Sequence, residues 1–132
     1  MAAQTNFDNK RPIYQQIIDR LLISIAKGEL APGEKVASVR VMALYYSVNP
    51  NTIQKSLAKL EDMGYLKTER TTGRFVTTDA AAIAALRARI PDAIVSNFID
   101  EMIDFGVPKY DIADYVIDYI ERMDKDGKNT AN

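Results

Sequence analysis

Apolar residues along the first third of the chain recur at helical spacing. Tyr14, Ile17, Ile18, Leu21, Leu22 and Ile25 fall three and four residues apart, which predicts a helix buried along one face. Pro12 stands where a first helical residue is expected, because its missing N–H costs nothing there, and Gly28 marks the stop. Leu30–Glu34 then reads as a turn, with Pro32-Gly33 favouring type II. A short second helix is predicted from Ser38 as N-cap to Tyr46. After a break at Tyr46-Ser47-Val48, a third helix opens on Asn49 as cap and Pro50 as first residue, carries Ile53, Leu57 and Leu60 as its core stripe, and ends at Gly64.

Beyond Gly64 the period changes from helical to alternating. Two strands are predicted, about Tyr65–Glu69 and Arg74–Thr78, with Thr71-Thr72-Gly73 as the turn between them. Asp79 can cap an alanine-rich helix that Pro91 should kink or restart. Ile94, Val95, Phe98, Ile99, Met102 and Ile103 share one wide face as far as Gly106. A last helix, about Lys109 to Met123, sets Ile112, Tyr115, Val116, Tyr119, Ile120 and Met123 against an acidic face of Asp111, Asp114, Asp118 and Glu121. Residues 1–9 and 125–132 lack periodicity and read as flexible termini.

The fold class that follows is mainly α with a small β-hairpin: a winged helix-turn-helix domain over residues 10–78, then a short two-helix dimerisation segment over 79–124. Two short helices joined by a tight turn, the second with a polar N-terminal face, is the arrangement that lays side chains into the DNA major groove. Asn51, Thr52, Gln54 and Lys55 form that face. Asn and Gln suit adenine, Thr suits phosphate, and Lys suits phosphate or guanine. Arg40 on the second helix suits a bidentate phosphate or guanine contact. The hairpin after the third helix is a wing carrying Lys67, Arg70 and Arg74, with Glu69 opposing them.

Composition sharpens this picture mainly by exclusion. The 132 residues contain no cysteine and no histidine, which removes disulfides, thiolate catalysis, the commonest general base and the commonest transition-metal ligand. No catalytic, cofactor or metal site is expected; Asp111, Asp114 and Asp118 have helical spacing but read as a solvated face. The net charge of −1 conceals an asymmetry. Residues 1–78 hold eleven Lys and Arg against seven Asp and Glu, a net +4, and residues 79–132 hold six against eleven, a net −5. That division fits a nucleic-acid-binding half joined to an interaction element. No apolar run approaches the roughly 18 residues that cross a bilayer, so no membrane partner is expected and the expected location is cytoplasmic.

The two terminal helices carry more apolar surface than they can bury alone, so either they pack onto the first domain or they pair with a second copy; the favoured reading is a homodimer closed through Ile94, Phe98, Met102, Ile112, Tyr115, Val116 and Tyr119. Tyr110, Tyr115 and Tyr119 also suit a ligand pocket, so a small-molecule effector stays open and unidentified.

The residues that carry these features resemble the winged-helix domain of the GntR family of bacterial transcription regulators. The matching stretches are PIYQQI at 12–17, GELAPGEKVASVR at 28–40, VNPNTIQKSLAKLEDMGYL at 48–66 and GRFV at 73–76. VNPNT together with a short two-helix C-terminal segment points to the YtrA subfamily. The resemblance implies a homodimeric regulator, generally a repressor, on a palindromic double-stranded DNA operator, in small members often controlling transporter genes. It implies DNA contacts at Arg40, Asn49, Asn51, Thr52 and Gln54, with the wing tip at Arg70 and Thr71. Three departures stand out: Ala37 replaces the usual Pro before Ser38, Thr71-Thr72 replaces a glycine-rich wing tip, and Pro50 stands where other subfamilies often have Arg. A winged-helix adaptor that binds protein instead of DNA is the rival from another class.

Overall fold

A computed structural model of the chain describes residues 7–127. The elements run α1 (Ile13–Lys27), α2 (Val39–Tyr46), α3 (Pro50–Asp62), β1 (Leu66–Glu69), β2 (Gly73–Val76), α4 (Ala80–Phe105), a 3-10 turn (Lys109–Asp111) and α5 (Ile112–Lys125). The chain divides into two compact units, the first ending at Ile90 and the second starting at Pro91.

In the first unit α1 and α2 both pack on α3. Ile17, Ile18, Leu21 and Ile25 of α1 meet Ile53, Leu57 and Leu60 of α3, all buried, with Met42, Ala43 and Tyr46 of α2 completing the cluster. Each isoleucine, leucine or methionine among them contributes about 1.5–3 kcal/mol by leaving water. The cluster extends past the predicted end of the domain at 78. Ile83 and Leu86 of α4 are buried in it, Arg87 Nε donates to the Ala26 carbonyl at 2.8 Å, and Arg89 Nη2 donates to Tyr65 Oη at 2.8 Å.

β1 and β2 pair antiparallel, Leu66 opposite Val76 and Glu69 opposite Gly73, so the connecting loop is Arg70–Thr72. Gly73 is therefore the first strand residue and not part of the turn, with φ of +121°. The stretch before α2 adds a partial third strand: Lys35 bridges Phe75, the Val36 N–H donates to Arg74 O, and the Val76 N–H donates to Glu34 O. The turn leading into it is type II as expected, with Gly33 at φ +80° and the Glu34 N–H donating to Ala31 O.

Several predicted boundaries shift. Pro12 caps α1 in extended conformation instead of opening it. Of the N-terminal residues expected to be loose, Phe7 and Asp8 are tied down, while 1–6 lie outside the described residues. The buried Gln16 side chain is the reason: it accepts from the Asp8 N–H and donates to the carbonyls of Asp8 and Arg11. Phe7 then packs on Tyr46 with ring centroids 6.0 Å apart, beneath the Arg20 guanidinium at 4.2 Å. Pro91 does not restart the helix: α4 continues through it. A proline in that place removes one N–H from the helix ladder, and the bonds on either side suffice to carry the helix on. Finally Lys109–Asp111 form a 3-10 turn, and α5 includes Lys125 from the expected flexible tail; residues 128–132 lie outside the described ones.

In the second unit, the end of α4 and α5 flank the turn at Gly106, whose N–H donates to the Met102 and Ile103 carbonyls. No described helix is long and apolar enough to cross a membrane.

Candidate nucleic-acid interface

The polar face of α3 is held by what lies beneath it. Ile53, Leu57 and Leu60 are at most 1% exposed, and the buried Ser56 hydroxyl lies 3.0 Å from the carbonyls of both Tyr14 and Thr52. The helix cannot turn about its axis without breaking these contacts. Asn49 Oδ1 accepts from the Asn51 N–H at 2.7 Å, which fixes the helix start, and Pro50 pre-sets the first turn. Asn51 and Gln54 stand exposed and Thr52 half-buried. Lys55 is also exposed, but its ammonium lies 3.9 Å from the centre of the Tyr14 ring, drawn toward α1 by a cation–π contact.

The turn from α2 to α3 depends on Ser47, a non-glycine residue at φ +57°. Its left-handed conformation costs about 1–2 kcal/mol. It closes α2 and lets the Val48 N–H donate to Ala43 O, bringing the two helices together in three residues. At the other end of α2, Ser38 Oγ accepts from the Val41 N–H. Arg40 is exposed and has no ion pair or hydrogen bond among the described residues.

The wing's charges divide between structure and surface. Arg74 Nε lies 3.4 Å from Glu61 Oε1, so it joins β2 to α3. The Thr68 hydroxyl beside Glu61, then the Arg74 guanidinium, hold that carboxyl below the usual glutamate range. Lys67 pairs with Glu69 at 3.7 Å. Among the described wing cations Arg70 alone has no partner, and with Thr71 it forms the exposed loop tip. Sequence reasoning passed over Lys35. It lies along the same surface, its Cε 3.0 Å from where a Gly73 side chain would begin, and together with Ser38 and Arg70 it lines the recess between α2 and the wing. Its signal was a basic residue three positions before the cap of α2, a place that joins the wing only through the partial third strand.

In the second unit, Phe98, Met102, Tyr115, Val116, Tyr119 and Ile120 line an apolar cavity of about 360 Å³. Five of the seven residues expected to dimerise are thus gathered on one surface. Ile94 is exposed outside this lining, and Ile112, 6% exposed, is buried within its own chain. Among the described residues no three side chains of metal-ligating type converge.

Comparison with known proteins accounts for this architecture. The family model of bacterial regulatory proteins of the gntR family matches residues 13–76, from the start of α1 to the end of the wing. YhcF, an HTH-type transcriptional regulator of Bacillus subtilis, is 32% identical over 115 residues, covering 87% of this chain and 95% of that protein. The HTH-type transcriptional repressor YtrA of Bacillus subtilis is 39% identical over 69 residues, covering 52% of this chain and 53% of YtrA. A solved GntR family transcriptional regulator from Listeria monocytogenes superposes with a TM-score of 0.71 at 38% identity, covering 85% of this chain and 98% of that one. With α1–α3 and the wing in this order, and with relatives of this kind along nearly its whole length, the chain belongs to the GntR family: it is a helix-turn-helix transcription regulator with a winged DNA-binding domain, and not an enzyme.

Proposed function

We propose that this regulator is a homodimeric repressor of YtrA type that binds a palindromic operator in the cytoplasm. The observation that carries the reading is the exposed start of α3. Asn51 and Gln54 point outward from a helix fixed by Ser56 and by the Asn49 cap, with Arg40 and Arg70 unpaired among the described residues. Asn51 and Gln54 read base edges. Arg40, Thr52, Lys55, Arg70 and Thr71 hold phosphates, and Asn49 sets the depth of the helix. Two copies joined through the apolar surface of the second unit place two α3 helices in successive major grooves, about 34 Å apart. Repression is supported by the likeness to YtrA, which is named a repressor. Control of transporter genes is proposed from the resemblance of this chain to small family members.

Selection of duplexes from a random pool tests the reading. The expected product is an inverted repeat whose affinity falls steeply with salt. Asn51→Ala and Gln54→Ala should alter the selected bases, whereas Arg40→Ala should weaken all sequences alike and lower the salt slope by about one. Enrichment of no sequence would defeat the proposal. It would favour the adaptor reading, which the polar outer face of α3 speaks against.

A further inference from the structure

Where α2 meets α3, beside the polar residues just described, the surface turns apolar. Val39, Arg40, Ala43, Leu44, Val48 and Pro50 line an open, mostly apolar notch. Leu44 is 74% exposed, more than any other large aliphatic side chain among the described residues of the first unit. It lies one helical turn after Arg40, and so on the same side of α2. Pro50 stands between Asn49 and Asn51, at the end of α3 that faces outward. An exposed leucine against a proline is unfavourable in water, and its neighbours here are the residues that approach base edges and phosphate.

A DNA major groove offers one apolar group, the C5-methyl of thymine. Resting on the DNA reading above, we propose that the notch formed by Leu44, Val48 and Pro50 receives a thymine methyl group in each half-site, beside the base that Asn51 reads. Arg40, on the rim of the notch, holds a phosphate of the same strand. The protein thereby gains sequence information at a position where no hydrogen bond is made. Pro50 contributes through its ring, which has no N–H to leave unpaired against the methyl.

The test uses the full chain and the duplex that it selects from a random pool. Each thymine is replaced singly by uracil, which keeps every hydrogen-bonding group and lacks only the methyl, and the Kd is read by fluorescence anisotropy at fixed salt. One thymine per half-site should lose about three- to fivefold in affinity on replacement, the effect of about one buried methyl group. Leu44→Ser, at an exposed position that leaves the core intact, should weaken the thymine duplex by a similar factor and abolish the difference between thymine and uracil there. Other thymines should behave identically in wild type and variant. Leu44→Ala should keep an intermediate difference. If wild type is indifferent to every replacement, or Leu44→Ser retains the full difference, the notch does not read a methyl, although the DNA reading stands. If no duplex is selected, the DNA reading itself fails and takes the notch with it.

Discussion

The two units put their apolar residues to opposite use. Through Ile90, apolar side chains from α1, α2, α3, both strands and the start of α4 converge on one cluster, and the polar residues at the start of α3 are left in water. From Pro91 onward the pattern inverts. Ile112 is the buried hydrophobic residue among those described, while Phe98 is 39% and Tyr115 56% exposed. The first unit is complete as it stands, and its surface is free to be chemically specific. The second carries an apolar surface that a single copy does not cover, which is the expected state of a half-interface.

Substitutions sharpen that contrast, and those in the first core should have the largest effect. Leu57→Ala, at 1% exposure, should destabilise the first unit by about 2–5 kcal/mol in denaturant unfolding, because a close-packed site collapses only partly around the void. Equal stability in the variant would show that the cluster is not the seat of the fold. Phe98→Glu should act differently: sedimentation should find the chain shifted toward monomer by tenfold or more, with the thermal transition of the first unit little changed. If that substitution instead unfolds the first unit and leaves assembly intact, the contrast between the units is lost.

Smaller effects belong to the helix ends that fix the exposed polar start of α3. Asn49→Ala should cost about 1 kcal/mol by leaving the Asn51 N–H without its cap. Ser47→Gly should stabilise the first unit by up to about 1 kcal/mol, since glycine adopts the left-handed turn without a Cβ clash. The smallest expected effect is one of pH. Glu61 is held below the usual glutamate range by Thr68 and Arg74, so its contribution is complete above the unfolded carboxyl's pKa and fades as pH falls through the lower folded value. Acid should therefore loosen the wing from α3, and Glu61→Gln should flatten that part of the stability profile; an unaltered profile would remove Glu61 from the account.

Local rules sufficed wherever one residue answers for one feature. The caps at Ser38 and Asn49, the left-handed stop at Gly28 and the type II turn at Gly33 depend on backbone groups within a few positions, so they could be placed from the chain alone. The exposed polar start of α3 was legible for the same reason: Asn51, Gln54 and Lys55 lie on one face of one helix. What failed depended on distant partners. Phe7 and Asp8 look structureless until Gln16 and Tyr46 are brought beside them, and Arg74 reads as a surface cation until Glu61 is found next to it.

By itself, then, the order of apolar and polar positions determined the helices, the hairpin and the polar face offered outward, because periodicity and capping are short-range properties. Tertiary packing decided which charges remain unpaired, that Lys35 joins the wing, and that Leu44 stands exposed beside Pro50. Pairing and burial are set by whichever atoms arrive from elsewhere in the chain, and spacing along the sequence carries no record of them.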